Sequence, residues 1–151
     1  MTTHLEKPAD LLGFAGRPLG TSDSMTITQQ QVDLFANATG HHQWIHTDPR
    51  RAATSPFKGT IAHGYLTLAL APLVVSQVLR IRELTAAALN YGINRVRFPA
   101  PVRIDSQIRA TVSVRSAEQK ISGVESVFTL THEIDREESP ACVADVIVLY
   151  P

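Results

Sequence analysis

Four of the six histidines in this 151-residue chain fall between Gly40 and Gly64. A polar loop, Gly40-His41-His42-Gln43-Trp44-Ile45-His46-Thr47-Asp48-Pro49, is followed by Ile61-Ala62-His63-Gly64 at the mouth of an uncharged apolar run. Imidazole is the side chain that titrates nearest neutral pH, so it can take up or release a proton under ordinary conditions. A helix N-terminus adds backbone N–H donors with partial positive charge. Proton carriers beside fixed donors suit reactions at a carbonyl, where a proton moves while negative charge builds on oxygen. Zinc is the competing use of clustered imidazole, and His41, His42, His46 and His63 would then be its ligands. No cysteine accompanies them and their spacing fits no standard zinc pattern, so no metal is expected. His4 and His132 stand alone in the sequence and read as solvated surface residues.

The histidine loop needs elements to hold it. Thr28 and Gln31 form a capping-box pair, and Val32, Phe35 and Ala38 recur at helical spacing, which predicts a helix over about residues 29 to 38 that ends at Gly40. From Gly64 to Leu79 the chain carries no charge and is apolar on nearly every side, so this predicted helix must be enclosed. Its sixteen residues would rise about 24 Å, short of the roughly 30 Å hydrocarbon core of a bilayer. Pro72 and Arg80 further weaken a membrane span, leaving burial inside the protein.

Beyond residue 88 the period changes from helical to alternating. Ile108, Ala110, Val112 and Val114 alternate with polar residues as a half-buried strand, and Val124 to Ile134 and Ala141 to Tyr150 read the same way. A further strand is expected from Ala88 to Phe98, closed by Pro99 and Pro101, because proline cannot donate to a ladder. Residues 117 to 123 and 135 to 140 read as loops, and a weak strand is signalled near 19 to 26. Residues 1 to 18 read as a leader draped over a single domain spanning 1 to 151. The fold class is α+β, an antiparallel sheet curled around a long buried helix.

Lys plus Arg and Asp plus Glu both count 14, for a net charge of zero. No overall field would gather nucleic acid or an anionic membrane, and neither is expected as a partner. The lone cysteine, Cys142, cannot form an internal disulfide, and the N-terminal residues lack an apolar run of signal length. The expected location is cytoplasmic.

Taken together, these residues resemble the hot-dog fold, and within it the MaoC-like dehydratases or (R)-specific enoyl-CoA hydratases, with their nodulation protein N-like relatives. The likeness spans roughly residues 20 to 150. That family's loop reads glycine, aspartate, any residue, asparagine, proline, an aliphatic residue and histidine, with Asp-Pro shortly after. Here the frame is Gly40, His41, His42, Gln43, Trp44, Ile45, His46, then Asp48-Pro49, which keeps the five-residue step between the two catalytic positions. The Ile61-Ala62-His63-Gly64 run, Arg97-Phe98-Pro99-Ala100-Pro101-Val102 and a strand at the C-terminus match as well. One departure stands out: His41 occupies the position of the catalytic aspartate, while His46 keeps that of the catalytic histidine.

The resemblance implies a lyase that adds water across a trans-2-enoyl-CoA to give (R)-3-hydroxyacyl-CoA, or runs the reverse. His46 would be the general base and Gly64 N–H the oxyanion donor. His41 would be either a second imidazole on the water or the mark of a lost activity. Gln43, Trp44, His63, Tyr91, Gly92 and Arg97 are assigned to substrate binding, with the His63 ring hydrogen-bonding the loop rather than moving protons. His42 is expected to point into solvent. Arg50, Arg51, Lys58, Arg95, Arg97 and Arg103 are candidate cations for the coenzyme A phosphates. No cofactor is implied, and a homodimer joining sheets edge to edge is. Two other readings stay open: a catalytically silent acyl-thioester-binding subunit and a hot-dog thioesterase. Aspartate is ionised at neutral pH, whereas histidine, with a pKa near 6.5, is mostly neutral. Two adjacent imidazolium rings would repel, so at least one of the pair should have a lowered pKa.

Overall fold

A computed structural model describes residues 1 to 151. In chain order it contains β1 (Thr3–Leu5), a 3-10 helix (Pro8–Phe14), β2 (Pro18–Thr21), β3 (Met25–Thr26), α1 (Gln29–Thr39), α2 (Trp44–Thr47), α3 (Pro49–Ala53), α4 (Gly64–Ala69) and α5 (Ala71–Val78). The second half follows as β4 (Leu79–Ile81), β5 (Leu89–Arg97), β6 (Gln107–Lys120), β7 (Gly123–Ile134) and β8 (Cys142–Tyr150). Pairing runs β2-β6-β7-β8-β5, all antiparallel, with β3 also on β6, while β1 pairs with β4 in parallel.

The alternation seen in the sequence becomes the inner face of this sheet. Ala110, Val112 and Val114 of β6, Phe128 and Leu130 of β7, and Ala144, Val146 and Val148 of β8 are buried with Val74, Val75 and Val78 of α5. Apolar area removed from water drives this packing. A second cluster, Ile27, Val32, Ala62, Val102, Ile108, Ile134 and Ala141, ties α1 and the segment before α4 to one end of the sheet. That smaller core sets the histidine loop against the helix mouth. A sheet curled over a helical segment is the hot-dog arrangement the loop frame implied.

Four features differ from the sequence reading. The run from Gly64 to Leu79 is two helical segments rather than one rod, because Pro72 has no N–H to return to the turn before it. It is also not enclosed all round: Tyr65 is 67% and Leu73 46% exposed. Strand β6 continues to Lys120, paired with Gly123, so the expected loop of 117 to 123 shrinks to a tight hairpin. Lastly, His132 is not a surface residue. Its place on the inward face of β7, opposite Ala110 and Cys142, buries it completely.

Residues 1 to 18 contribute β1, laid beside β4, and Leu11, which is fully buried in the main core. At one edge of the main sheet, across from β2, β5 pairs only with β8, and nearly all of it is solvent-exposed. No helix is long and apolar enough to cross a membrane.

Candidate active site

Helix α1 begins with the expected reciprocal cap: Gln31 N–H donates to Thr28 Oγ1 at 3.2 Å, and Thr28 N–H donates to Gln31 Oε1 at 2.9 Å. It ends at Gly40, whose φ of 74° turns the chain left-handed into the histidine loop. The single turn of α2 then rolls His46 inward, to 5% exposure.

His46 Nδ1 lies 2.7 Å from the Ile61 carbonyl, and Ile61 N–H donates back to Ile45 O at 3.0 Å. A carbonyl can only accept, so Nδ1 carries the proton and Nε2 holds the lone pair. Burial lowers the His46 pKa below its ordinary value, and the neighbouring His63 and His41 rings lower it further, against the opposing pull of the Ile61 bond. The ring is therefore neutral and basic at Nε2 at physiological pH. This agrees with the expectation that adjacent imidazoles would depress at least one pKa.

His63, the residue before α4, is 1% exposed and stacks on His46 with centroids 3.9 Å apart and planes 25° from parallel. Its Nε2 donates to the His41 carbonyl at 3.0 Å, and Phe35 packs on it at 5.0 Å. The exposed His41 ring stands edge-on to both, 5.3 Å from His46 and 5.0 Å from His63. Its Nε2 lies 3.4 Å from Gln43 Oε1. Three of the four loop-and-mouth histidines thus meet, while His42 is exposed and outside the cluster. No set of three or more His, Cys, Asp or Glu side chains has metal-ligating geometry.

Gly64 opens α4, and its N–H donates to no group of the chain, whereas Leu66 and Thr67 N–H both return to the His63 carbonyl. The Phe98 ring covers it so closely that a Cβ there would lie 3.0 Å from ring carbon. A cavity of about 680 Å³ starts at Tyr65 and runs between α5 and β5 past Leu79, Gly92 and Tyr150. None of the three clustered histidines lines it. Among the strand residues assigned to substrate, Gly92 borders this cavity and Tyr91 and Arg97 do not; Arg97 instead donates from Nη1 to Val96 O at 2.7 Å. Trp44 is half-buried under the Arg51 guanidinium, 4.4 Å from its ring centre.

Gln29 had no place in the sequence reading. Its Nε2 donates to the His46 carbonyl at 2.8 Å, and its Oε1 accepts from Thr60 Oγ1. One amide thus clamps α1, the turn carrying His46 and the segment leading to Gly64. Its only sequence signal was its place directly after the capping threonine, and that signal does not point to a site.

Fold and site together define a hot-dog domain whose imidazole cluster sits at a helix mouth. The MaoC like domain matches residues 12–136. The chain is 50% identical over 146 residues to 3-hydroxyacyl-thioester dehydratase Z of Mycobacterium tuberculosis, covering 96% of each. It is 42% identical over 144 residues to nodulation protein N of Rhizobium leguminosarum bv. viciae, covering 93% of this chain and 89% of that one. Its fold matches that of a monoamine oxidase regulatory protein from Archaeoglobus fulgius with a TM-score of 0.78 at 23% identity, over 99% and 97% of the two chains. The chain belongs to the MaoC-like dehydratase family.

Proposed function

We propose that this protein adds water to a trans-2-enoyl thioester to give the (R)-3-hydroxyacyl thioester, or catalyses the reverse dehydration, with His46 as the general base. The observation that carries this reading is the His46 ring itself, which is buried, has Nδ1–H committed to Ile61 O so that Nε2 keeps its lone pair, and stands 5.3 Å from the exposed His41 ring. In the forward direction Nε2 takes a proton from water as the water oxygen bonds to C3 of the enoyl group. The C2–C3 π electrons move toward the thioester carbonyl, and Gly64 N–H donates to the enolate oxygen that forms. The His46 imidazolium then delivers its proton to C2, completing the addition of one water and restoring the neutral ring. Preorganised donors at a developing oxyanion supply several kcal/mol in such steps.

His41 stands where a carboxylate would hold the same water. With its Nε2–H turned to Gln43 Oε1, its Nδ1 accepts the second hydrogen bond from the nucleophile. The acyl chain runs from Gly64 past Tyr65 into the apolar cavity toward Gly92, and coenzyme A is the carrier, its phosphates held by surface cations such as Arg50 and Arg51. The exposed β5 edge joins that of a second copy to form a homodimer. A thioester substrate is also supported by the 50% identity to a 3-hydroxyacyl-thioester dehydratase.

Crotonyl-CoA hydration, followed by loss of the enoyl thioester's ultraviolet absorbance, tests the proposal on wild type, His41→Asp and His46→Gln. Activity in the wild type that His46→Gln abolishes supports it. An inert wild type with an active His41→Asp variant would make this chain a silent acyl-thioester-binding subunit.

A further inference from the structure

We infer that His63 is a positioning residue, which fixes the separation of the His41 and His46 rings by stacking on one and hydrogen-bonding the backbone of the other. The inference rests on the hydratase reading above but is carried by a separate observation. The His63 Nδ1 atom is buried with no hydrogen-bond partner, although Nε2 is bonded to His41 O. An unpartnered buried acceptor is destabilising, and such atoms in a folded protein call for a reason.

Packing alone does not supply that reason. The surroundings of His63, with Phe35 on one side and the His46 ring on the other, would accept phenylalanine and leave no orphaned nitrogen. Phenylalanine would, however, lose the Nε2–H bond to the His41 carbonyl. That bond is the one side-chain hydrogen bond between the helix mouth and the residue at the head of the catalytic step. His46 is tied independently, through its ring to Ile61 and through its carbonyl to Gln29. His41 has no comparable anchor: its own N–H reaches Thr39 Oγ1 only at 3.4 Å, and its ring is exposed. Without His63, His41 would be free to swing while His46 stayed in place.

The geometry also sets what His63 does not do. Its ring is 1% exposed and stacked on His46, so a positioning role replaces the direct substrate contact expected from the sequence. Its Nε2 holds a proton for a carbonyl, and Nδ1 offers its lone pair to no donor. The titratable groups that face it are His46 on α2 and His41 in the loop, while α1 presents the uncharged Phe35.

The test uses His63→Phe, which keeps an aromatic ring on His46, and His63→Gln, whose Nε2–H can reach the His41 carbonyl. Misplacing a reacting group by about 1 Å can cost on the order of 10²-fold in rate. We therefore expect His63→Phe to lower kcat about 30- to 100-fold with KM within about twofold, and His63→Gln to recover to within about fivefold of wild type. In parallel, amide hydrogen exchange at His41 should quicken about tenfold or more in His63→Phe and stay near wild type in His63→Gln, with His46 exchange unchanged in both. Equal kcat in wild type and His63→Phe would overturn the inference, as would a joint loss of kcat, KM and thermal stability in both variants. If the wild type proves inert toward enoyl thioesters, the hydratase reading fails and the exchange measurement alone decides: His41 loosening only in His63→Phe upholds the positioning role, and unchanged exchange ends it.

Discussion

His46 and His132 are both buried imidazoles whose pKa burial lowers, yet they sit in opposite kinds of surroundings. His46 lies at the open end of the fold, where Ile61 O fixes its tautomer, a second ring stacks on it and an exposed third faces it. His132 projects from β7 into the main core, with neither ring nitrogen bonded to anything and a pKa pushed down to about 4. Burial is common to the two, so burial cannot be what makes a proton carrier. A partner that sets the tautomer and a face left open to a reactant distinguish His46, and His132 has neither. The core histidine is a stability liability, whereas the loop histidine has the fixed tautomer that the proposed general-base role requires.

The comparison can be broken most severely at His46. Removing a general base costs typically 10²–10⁴-fold, so His46→Gln should lose on the order of 10³-fold in kcat/KM for enoyl thioester hydration while its urea midpoint moves little. If His46→Gln and His132→Leu proved equally active, the distinction drawn above would be wrong.

His132 should reveal itself in stability rather than rate. Its folded pKa lies below the unfolded value, so the folded state resists the proton that the unfolded chain takes up. Above about pH 6.5 both states are neutral and titration costs nothing, and the folded state loses stability progressively as pH falls from there toward 4. Across that window the wild type should lose about 3 kcal/mol that His132→Leu keeps, at about 1.4 kcal/mol per pH unit. Urea unfolding of both proteins at pH 7.5, 5.5 and 4.5 reads this directly, and parallel pH profiles would show that His132 stays wetter than its burial indicates. Enoyl thioester turnover at pH 7.5 should be the same in the two proteins.

Gly64 sharpens the loop side of the contrast with a smaller effect. A methyl there meets the Phe98 ring at 3.0 Å, and because Phe98 is 40% exposed the ring can give way. We expect Gly64→Ala to fold with little loss of stability but to drop about tenfold in kcat/KM, since the methyl holds the thioester off the N–H donor. Wild-type rates in Gly64→Ala would remove Gly64 from the site.

The mildest probe is Cys142, cross-strand neighbour of His132. It is fully buried with its thiol pushed up to about 11, so a thiolate-seeking alkylating reagent should leave it untouched in the native protein and label it only on unfolding. Rapid native labelling would mean that this end of the sheet opens readily.

Much of the architecture could be read before any coordinates. The Thr28–Gln31 cap, the alternation in β6, β7 and β8 and the loop frame with its five-residue step are local patterns, and local patterns survive in the chain. The alternation of β7 places His132 on the same face as Phe128, Leu130 and Ile134, so its inward position is written in the sequence, and only the polarity of a lone imidazole argues for the surface. Gln29 escaped notice for a different reason: its partners are the carbonyl of His46 and the hydroxyl of Thr60, seventeen and thirty-one positions away.

The amino-acid order alone settled the fold class, the family and which ring types gather near the helix mouth, because spacing and periodicity are properties of neighbours along the chain. Only folding in three dimensions decided that His63 stacks on His46, that His41 stays outermost and that His132 has no partner. Those outcomes depend on which distant backbone groups and rings happen to come within hydrogen-bonding or stacking distance, and no local pattern encodes that.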